Sequence, residues 1–132
     1  MVRTLIISIF IFSGSLIHAQ TPQSLTSADW VKIADEKLST GDFSGAIFGY
    51  EVAVKMDSLN SEAFRKWGSI LTHTAVLEDN QEQFDEGLGK FETAVRLNPT
   101  RANNYYEWGN ALLKKGRHEE NLKLYKKEIL EK

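Results

Sequence analysis

The sequence contains no cysteine, only two prolines and only three histidines among 132 residues. The absence of cysteine excludes disulfides, thiolate metal sites, cysteine nucleophiles and a lipidated N-terminal cysteine. With so few prolines, long uninterrupted helices can form. The net charge of −2 argues against bulk nucleic-acid binding, and the length suggests one domain.

Long apolar runs are also lacking. The apolar stretch at residues 5–17 includes serines and a glycine, whereas a membrane-spanning helix needs about 20 apolar residues. Arg3 is the only charged residue among the first twenty, and the small Ala19 follows the stretch. This layout is typical of a secretory signal peptide. We therefore predict a signal peptide over residues 1–19 and an exported chain, periplasmic or extracellular, with no stable membrane insertion after cleavage. An uncleaved membrane anchor is the alternative.

Three sets of residues recur along the remaining chain with identical internal spacing. The second set follows the first by 34 residues, and the third follows the second by 41. The sets are Trp30, Ile33, Ala34 and Lys37; Phe64, Trp67, Gly68 and Leu71; and Tyr105, Trp108, Gly109 and Leu112. Repetition at such periods indicates stacked supersecondary units.

A companion set recurs with steps of i, i+4, i+7 and i+11, which place side chains on one stripe of an α-helix. Its copies are Phe43, Ile47, Tyr50 and Val54; Phe84, Leu88, Phe91 and Val95; and His118, Leu122, Tyr125 and Ile129. Each period therefore holds two amphipathic helices, helix A and then helix B. Small residues such as Gly68, Gly87 and Gly109 lie beside these stripes. Glycine inside a helix lowers the stability of the helix by about 1 kcal/mol relative to alanine. A close approach of two helices, which needs a small residue at the contact, would account for these glycines.

Turn residues separate the helices. Gly41-Asp42 and Gly116-Arg117 stand between helices A and B of the first and third units. We predict helices at residues 27–39, 43–56, 61–77, 81–97, 101–115 and 118–131. Seven extra residues in the middle unit either lengthen both of its helices by about one turn or form an acidic loop.

Together these positions resemble the tetratricopeptide repeat (TPR) family, with repeats at residues 27–60, 61–101 and 102–132 of a domain spanning 20–132. The resemblance rests on three linked copies of a pattern in which bulky, small and aromatic residues occupy fixed positions. It also rests on Pro99, which stands at the family's proline position. It implies an all-α fold of three helix-turn-helix pairs that form a short right-handed α-solenoid. It also implies protein binding, as a scaffold or adaptor, and no catalysis.

No catalytic, cofactor or metal constellation accompanies this pattern. His73 and His118 are interpreted as solvated or packed side chains. The acidic cluster of Glu78, Asp79, Glu82, Asp85 and Glu86 lacks the spacing and turn glycine of a calcium loop. We therefore expect a protein that is not an enzyme and needs no cofactor.

The resemblance also indicates which side chains would line the hollow of the stacked helices. A peptide or helix of another protein, its identity open, would contact helix A residues there. The candidates are Val31, Asp35, Leu38, Arg65, Ser69, Thr72, His73, Tyr106, Asn110, Leu113 and Lys114.

An alternative role is structural. The last helix has no following unit to cover it, and Leu122, Tyr125 and Ile129 would form its docking edge. Another copy of the chain or a neighbouring subunit could dock there, so a homo-oligomer is an open alternative to a monomeric adaptor. Polar Asn121 and Glu128 beside that edge would instead be typical of a capped terminal repeat.

Overall fold

The computed structural model describes residues 24–130, except for the side chains of Tyr125, Glu128 and Ile129. The predicted signal peptide lies outside this range. Every regular element between residues 24 and 130 is an α-helix, so the prediction of an all-α fold is confirmed. None of these helices is long and apolar enough to cross a membrane. The helices are α1 (Ser27–Ser39), α2 (Phe43–Met56), α3 (Ser61–Glu78), α4 (Gln81–Leu97) and α5 (Ala102–Leu130).

Side-chain caps determine where the first four helices begin. Thr26 and Asp29 form a capping box at α1, in which the two backbone N–H groups donate to the opposite side chains at 2.9 and 3.2 Å. Asp42, Asn60 and Asn80 cap α2, α3 and α4 by accepting a backbone N–H three residues ahead, at 2.8 to 3.0 Å. Each such cap typically stabilises a helix by about 1 kcal/mol.

The first hairpin consists of α1 and α2. Gly41 makes the turn between them with a φ of 80°, a left-handed conformation that glycine adopts without steric cost. The helices meet where Ala34 faces Gly49, because a Cβ on Gly49 would lie 2.8 Å from the Ala34 Cβ. Ala46 and Tyr50 are buried beside this contact. Small residues thus allow the two helices to pack closely, as the sequence indicated.

The second hairpin consists of α3 and α4. Its closest approach is between Gly68 and Gly87, where a Cβ on Gly68 would lie 2.8 Å from the Gly87 carbonyl oxygen. Phe91 fills the space beside Gly68 and is fully buried. The second hairpin is longer than the first, with helices of 18 and 17 residues against 13 and 14. The seven extra residues therefore extend the helices, and the acidic loop is not formed.

The helix α3 lies at the centre of the molecule, since it contacts α2, α4 and α5. The first half of α5 is held against the second hairpin by Asn104, which is fully buried. Its amide nitrogen donates to the Ala94 carbonyl at 3.0 Å and to the Asn98 carbonyl at 3.1 Å. Farther along α5, the Lys115 ammonium lies 4.4 Å from the centre of the Phe84 ring.

The predicted third helix pair is wrong, because residues 102–130 form one continuous helix with no turn at Gly116-Arg117. A glycine alone does not end a helix, since its cost of about 1 kcal/mol is small beside the bonds of a long helix. The first two hairpins restart at capping residues, Asp42 and Asn80. Arg117 stands at the corresponding place and has no acceptor atom to cap a new helix.

The loss of this turn leaves one helix face open. Gly109 was predicted to lie at a close helix contact, but a Cβ added to it would meet nothing within 4 Å. Tyr105 and Leu112, predicted to pack between helices, are 48% and 49% exposed. The second helix of the third unit would have covered these residues.

Candidate functional site

Two adjoining depressions, of about 330 and 450 Å³, lie between the first hairpin, α3 and α5. We call them together the groove. Ser69, His73, Glu107 and Lys114 line both depressions, so the two form one continuous surface. The smaller lies between α3 and α5, and the larger extends from there to α1 and α2. Each volume lies at the lower end of the range of ligand-binding clefts.

Most of the residues that were predicted to line a hollow are brought together here. Those that line the groove are Asp35, Leu38, Arg65, Ser69, Thr72, His73, Tyr106, Asn110 and Lys114. Val31 and Leu113 do not line it. Val31 is buried in the core of the first hairpin, and Leu113 is 60% exposed on α5 two turns after Tyr106, outside both depressions.

Arg65 lies beneath the groove rather than on its rim. Its side chain is buried, and one guanidinium nitrogen donates to the Glu107 carboxylate of α5. Glu62, one turn earlier on α3, lies 3.9 Å from the other terminal nitrogen. Because a buried charge is stabilised only when it is paired, the contact between Arg65 and Glu107 holds α5 against α3. Arg65, predicted from its position in the repeat to contact a partner, is thus engaged within the protein.

Asp35 is also engaged within the protein. One of its carboxylate oxygens accepts from the Tyr50 hydroxyl at 2.6 Å, and the other accepts from the Lys66 ammonium at 2.6 Å. Burial, and after it the hydrogen bond to Asp35, raises the pKa of the Tyr50 phenol. This network joins α1, α2 and α3 at one end of the groove. The Lys66 ammonium offsets the negative charge of Asp35 there.

The side chains on the opposite rim are available to a partner. Tyr106 is 69% exposed, and Lys114 forms no salt bridge with any residue in the described range. The exposed ring of His73 packs edge-on against Phe43, with ring centres 5.9 Å apart. The half-buried Asn110 adds an amide to the same wall. The rim therefore combines an aromatic ring, a cation and hydrogen-bonding groups.

The repeat pattern gave no indication of several other residues in the groove. Phe43 and Tyr50 come from helix B of the first unit, and Glu107 and Lys66 each follow a predicted groove residue in the sequence. These last two carry the ion pairs beneath the surface. No sequence signal marked Glu107 or Lys66, because each ion pair depends on which helix lies opposite.

Within residues 24–130, no three His, Cys, Asp or Glu side chains are grouped so that they could hold a metal ion. The acidic residues at the α3–α4 junction lie on exposed positions at helix ends. Asp79 ends α3 in a left-handed conformation with a φ of 51°. Acidic residues near the start of α4 are favoured by its N-terminal dipole.

The predicted docking edge lies on the second half of α5. Leu122 is half-buried there, and the side chains of Tyr125 and Ile129 are outside the described part of the structure. Leu124 and Leu130 on the same half are 56% and 84% exposed.

Comparison with known proteins adds no relative to this description. No protein-family model matches the chain, and no curated protein matches it.

Proposed function

We propose that this protein is a non-enzymatic scaffold or adaptor of the TPR type, exported from the cell, that holds a segment of another protein in the groove. The observation that carries the proposal is the open groove itself. On one wall the side chains of Tyr106, Lys114 and Asn110 form no hydrogen bond or salt bridge within the described residues, and a hydrogen-bonded polar floor lies beneath. Two hairpins with small residues at their crossings, related by the sequence repeat, support the TPR assignment.

The groove favours an extended peptide or one helix face as the bound segment. The partner would place an apolar or aromatic side chain against Tyr106 and the exposed Leu77, which also lines the smaller depression. An acidic side chain of the partner would pair with Lys114. Asp35 lines the same larger depression as Lys114, and its carboxylate is already paired with Lys66.

Peptides selected from a displayed random library provide the test. We expect selected sequences that bind the purified domain, with affinities measured by fluorescence anisotropy of labelled peptides. Tyr106→Ala should weaken binding at least about tenfold, because an exposed tyrosine that becomes buried on binding contributes a large part of such contacts. Lys114→Glu should weaken the binding of acidic peptides selectively.

Leu113→Ala is the matched control. It removes an apolar side chain from the same helix that is about as exposed as Tyr106, but from outside the groove. Its peptide affinities should remain within about twofold of wild type, since surface substitutions away from a contact have small effects. The proposal would be contradicted if no peptide were selected, or if Tyr106→Ala and Lys114→Glu bound every selected peptide as well as wild type does.

A further inference from the structure

His73 lies where the two depressions of the groove meet, since it lines both of them. It stands on α3, and its ring packs edge-on against Phe43 at the start of α2, with ring centres 5.9 Å apart. The side chain is nevertheless exposed. The contact with Phe43 thus restricts the imidazole ring while leaving it accessible to solvent and to a bound segment.

Lys114 of α5 lines the same two depressions. It follows His73 by 41 residues, the period between the second and third units, so the two residues hold the same position on neighbouring helices. Because α3 and α5 pack against each other, both side chains border the same part of the groove. A segment that lies across both depressions would therefore meet an imidazole and an ammonium group together.

The carboxylates that line the groove are already engaged with other cations. Asp35 is paired with Lys66, and Glu107 is paired with Arg65. None of the salt bridges among the described residues includes His73. A protonated His73 therefore lacks a free counter-ion in the groove, and a bound segment could supply one.

The other groups that carry or could change charge beside His73 come from four helices. Helix α4 lines neither depression. Burial raises the pKa of Tyr50, so its phenol stays neutral at neutral and acidic pH. The charged and titratable groups that line the groove with His73 are Asp35 of α1, Tyr50 of α2, Arg65 and Lys66 of α3, and Glu107 and Lys114 of α5.

We propose that an acidic side chain of the bound segment lies between His73 and Lys114, and that protonation of His73 strengthens its binding. The inference rests on the proposed function, because it names a contact and a control of the same groove. An imidazole ordinarily gains its proton as the pH falls through about 6.5, whereas a carboxylate ordinarily keeps its charge down to about pH 4. The affinity for an acidic segment should therefore rise from about pH 8 to about pH 5.

The exposure of His73 limits the size of this effect. An exposed ion pair strengthens binding by at most about fivefold. We accordingly expect the dissociation constant of an acidic peptide to fall about three- to fivefold over this range of pH. A peptide in which glutamine replaces the acidic residue should show no such change, because it brings no counter-ion.

A library peptide that carries one acidic residue, and that Lys114→Glu binds more weakly than wild type does, provides the probe. Its affinity is measured by fluorescence anisotropy from about pH 8 to about pH 5, beside the glutamine form of the same peptide. His73→Gln keeps hydrogen-bonding groups but cannot take up a proton, so it should abolish the dependence on pH. His73→Lys carries a charge throughout, so its affinity should stay high across the range.

His118→Gln is the control, because it removes an imidazole that lies on the second half of α5, outside the groove. His18 falls within the predicted signal peptide, so the mature chain has His73 and His118 as its two histidines. The His118 variant should keep the wild-type dependence on pH. Circular dichroism at each pH shows whether each variant remains folded.

Failure of this inference can be told apart from failure of the proposed function. If no library peptide bound the groove, both would be refuted. Peptides that bound through Tyr106 and Lys114 with the same affinity at every pH would leave the proposed function intact and refute the role of His73. The same conclusion would follow if the dependence on pH persisted in His73→Gln, or if it disappeared in His118→Gln.

Discussion

At the scale of single residues, the groove divides side chains into those that hold the protein together and those that are free. Arg65 and Asp35 are charged, yet both are paired within the chain, with Glu107 and with Lys66 respectively. Tyr106 and Lys114 belong to the free group, since neither side chain forms a hydrogen bond or salt bridge in the part of the chain that the structure describes. Residue type and position in the repeat do not separate the two groups, because the pairing depends on which helix lies opposite. The free group is therefore where a partner should be sought.

The buried phenol of Tyr50 gives the protein a dependence on alkaline pH. Its pKa is raised in the folded protein, so above about pH 10 the unfolded chain loses this proton while the folded chain keeps it. The free energy of unfolding should consequently fall as the pH rises through that range. Urea unfolding at a series of pH values should show a shallower decline for Tyr50→Phe than for wild type. Equal declines would contradict the assignment.

Much of the groove could be predicted from the resemblance to the tetratricopeptide repeat family. Helix spacing places Ser69, Thr72 and His73 on a single face of α3, and the resemblance indicated that this face lines the hollow. Tyr50 and Glu107 could not be predicted in this way. Their positions in the groove depend on the burial of α2 against α3 and on an ion pair between helices distant in sequence, which are tertiary effects.

At the scale of helices, a turn between A and B requires both a residue that ends one helix and a residue that caps the next. Gly41-Asp42 and Asp79-Asn80 supply both functions. Gly116-Arg117 supplies only the first, and α5 continues through it. The first four helices were therefore predictable nearly to the residue from their caps. The missing cap at Arg117 explains why the predicted turn at Gly116-Arg117 is wrong.

The crossing of α3 and α4 is sensitive to a single methyl group. Gly68→Ala would place a Cβ 2.8 Å from the Gly87 carbonyl oxygen, and backbone atoms there can relieve the clash only by moving the helices apart. Overpacking of this kind typically costs about 1–3 kcal/mol, more than the gain of about 1 kcal/mol in helix propensity. Urea unfolding followed by circular dichroism should show a lower free energy of unfolding.

Gly89→Ala is the control, because Gly89 is exposed on α4 and nothing lies within 4 Å of its added Cβ. It should raise the free energy of unfolding by about 0.5–1 kcal/mol. If both substitutions stabilised the protein equally, the close approach of α3 and α4 would be in doubt.

At the scale of the whole molecule, polar contacts join the helices around the central α3. Lys66 connects α3 to Asp35 of α1, and Arg65 connects α3 to Glu107 of α5. Both contacts lie beneath the groove. The helices that form the walls of the groove are thus positioned by the same element. A change in α3 would be transmitted to both walls.

The whole chain should be shortened on export. We expect the protein recovered from the periplasm or culture medium to begin at Gln20, because the cleavage site that follows a signal peptide lies after a small residue, here Ala19. Intact-mass measurement and N-terminal sequencing would establish this. Arg3→Glu should slow processing, since the positive n-region would be lost. A full-length chain in the membrane fraction would favour the uncleaved anchor.

The groove has one mechanical consequence. Asp35 and Leu38 of α1 and Lys114 of α5 line the same depression, although α1 packs on α2, and α5 packs on α3 and α4. A bound segment that touches both walls would act as a brace between the two ends of the molecule. Amide hydrogen exchange in α1 and α5 should then slow together on binding, more than in α4, which lies outside the span of the brace.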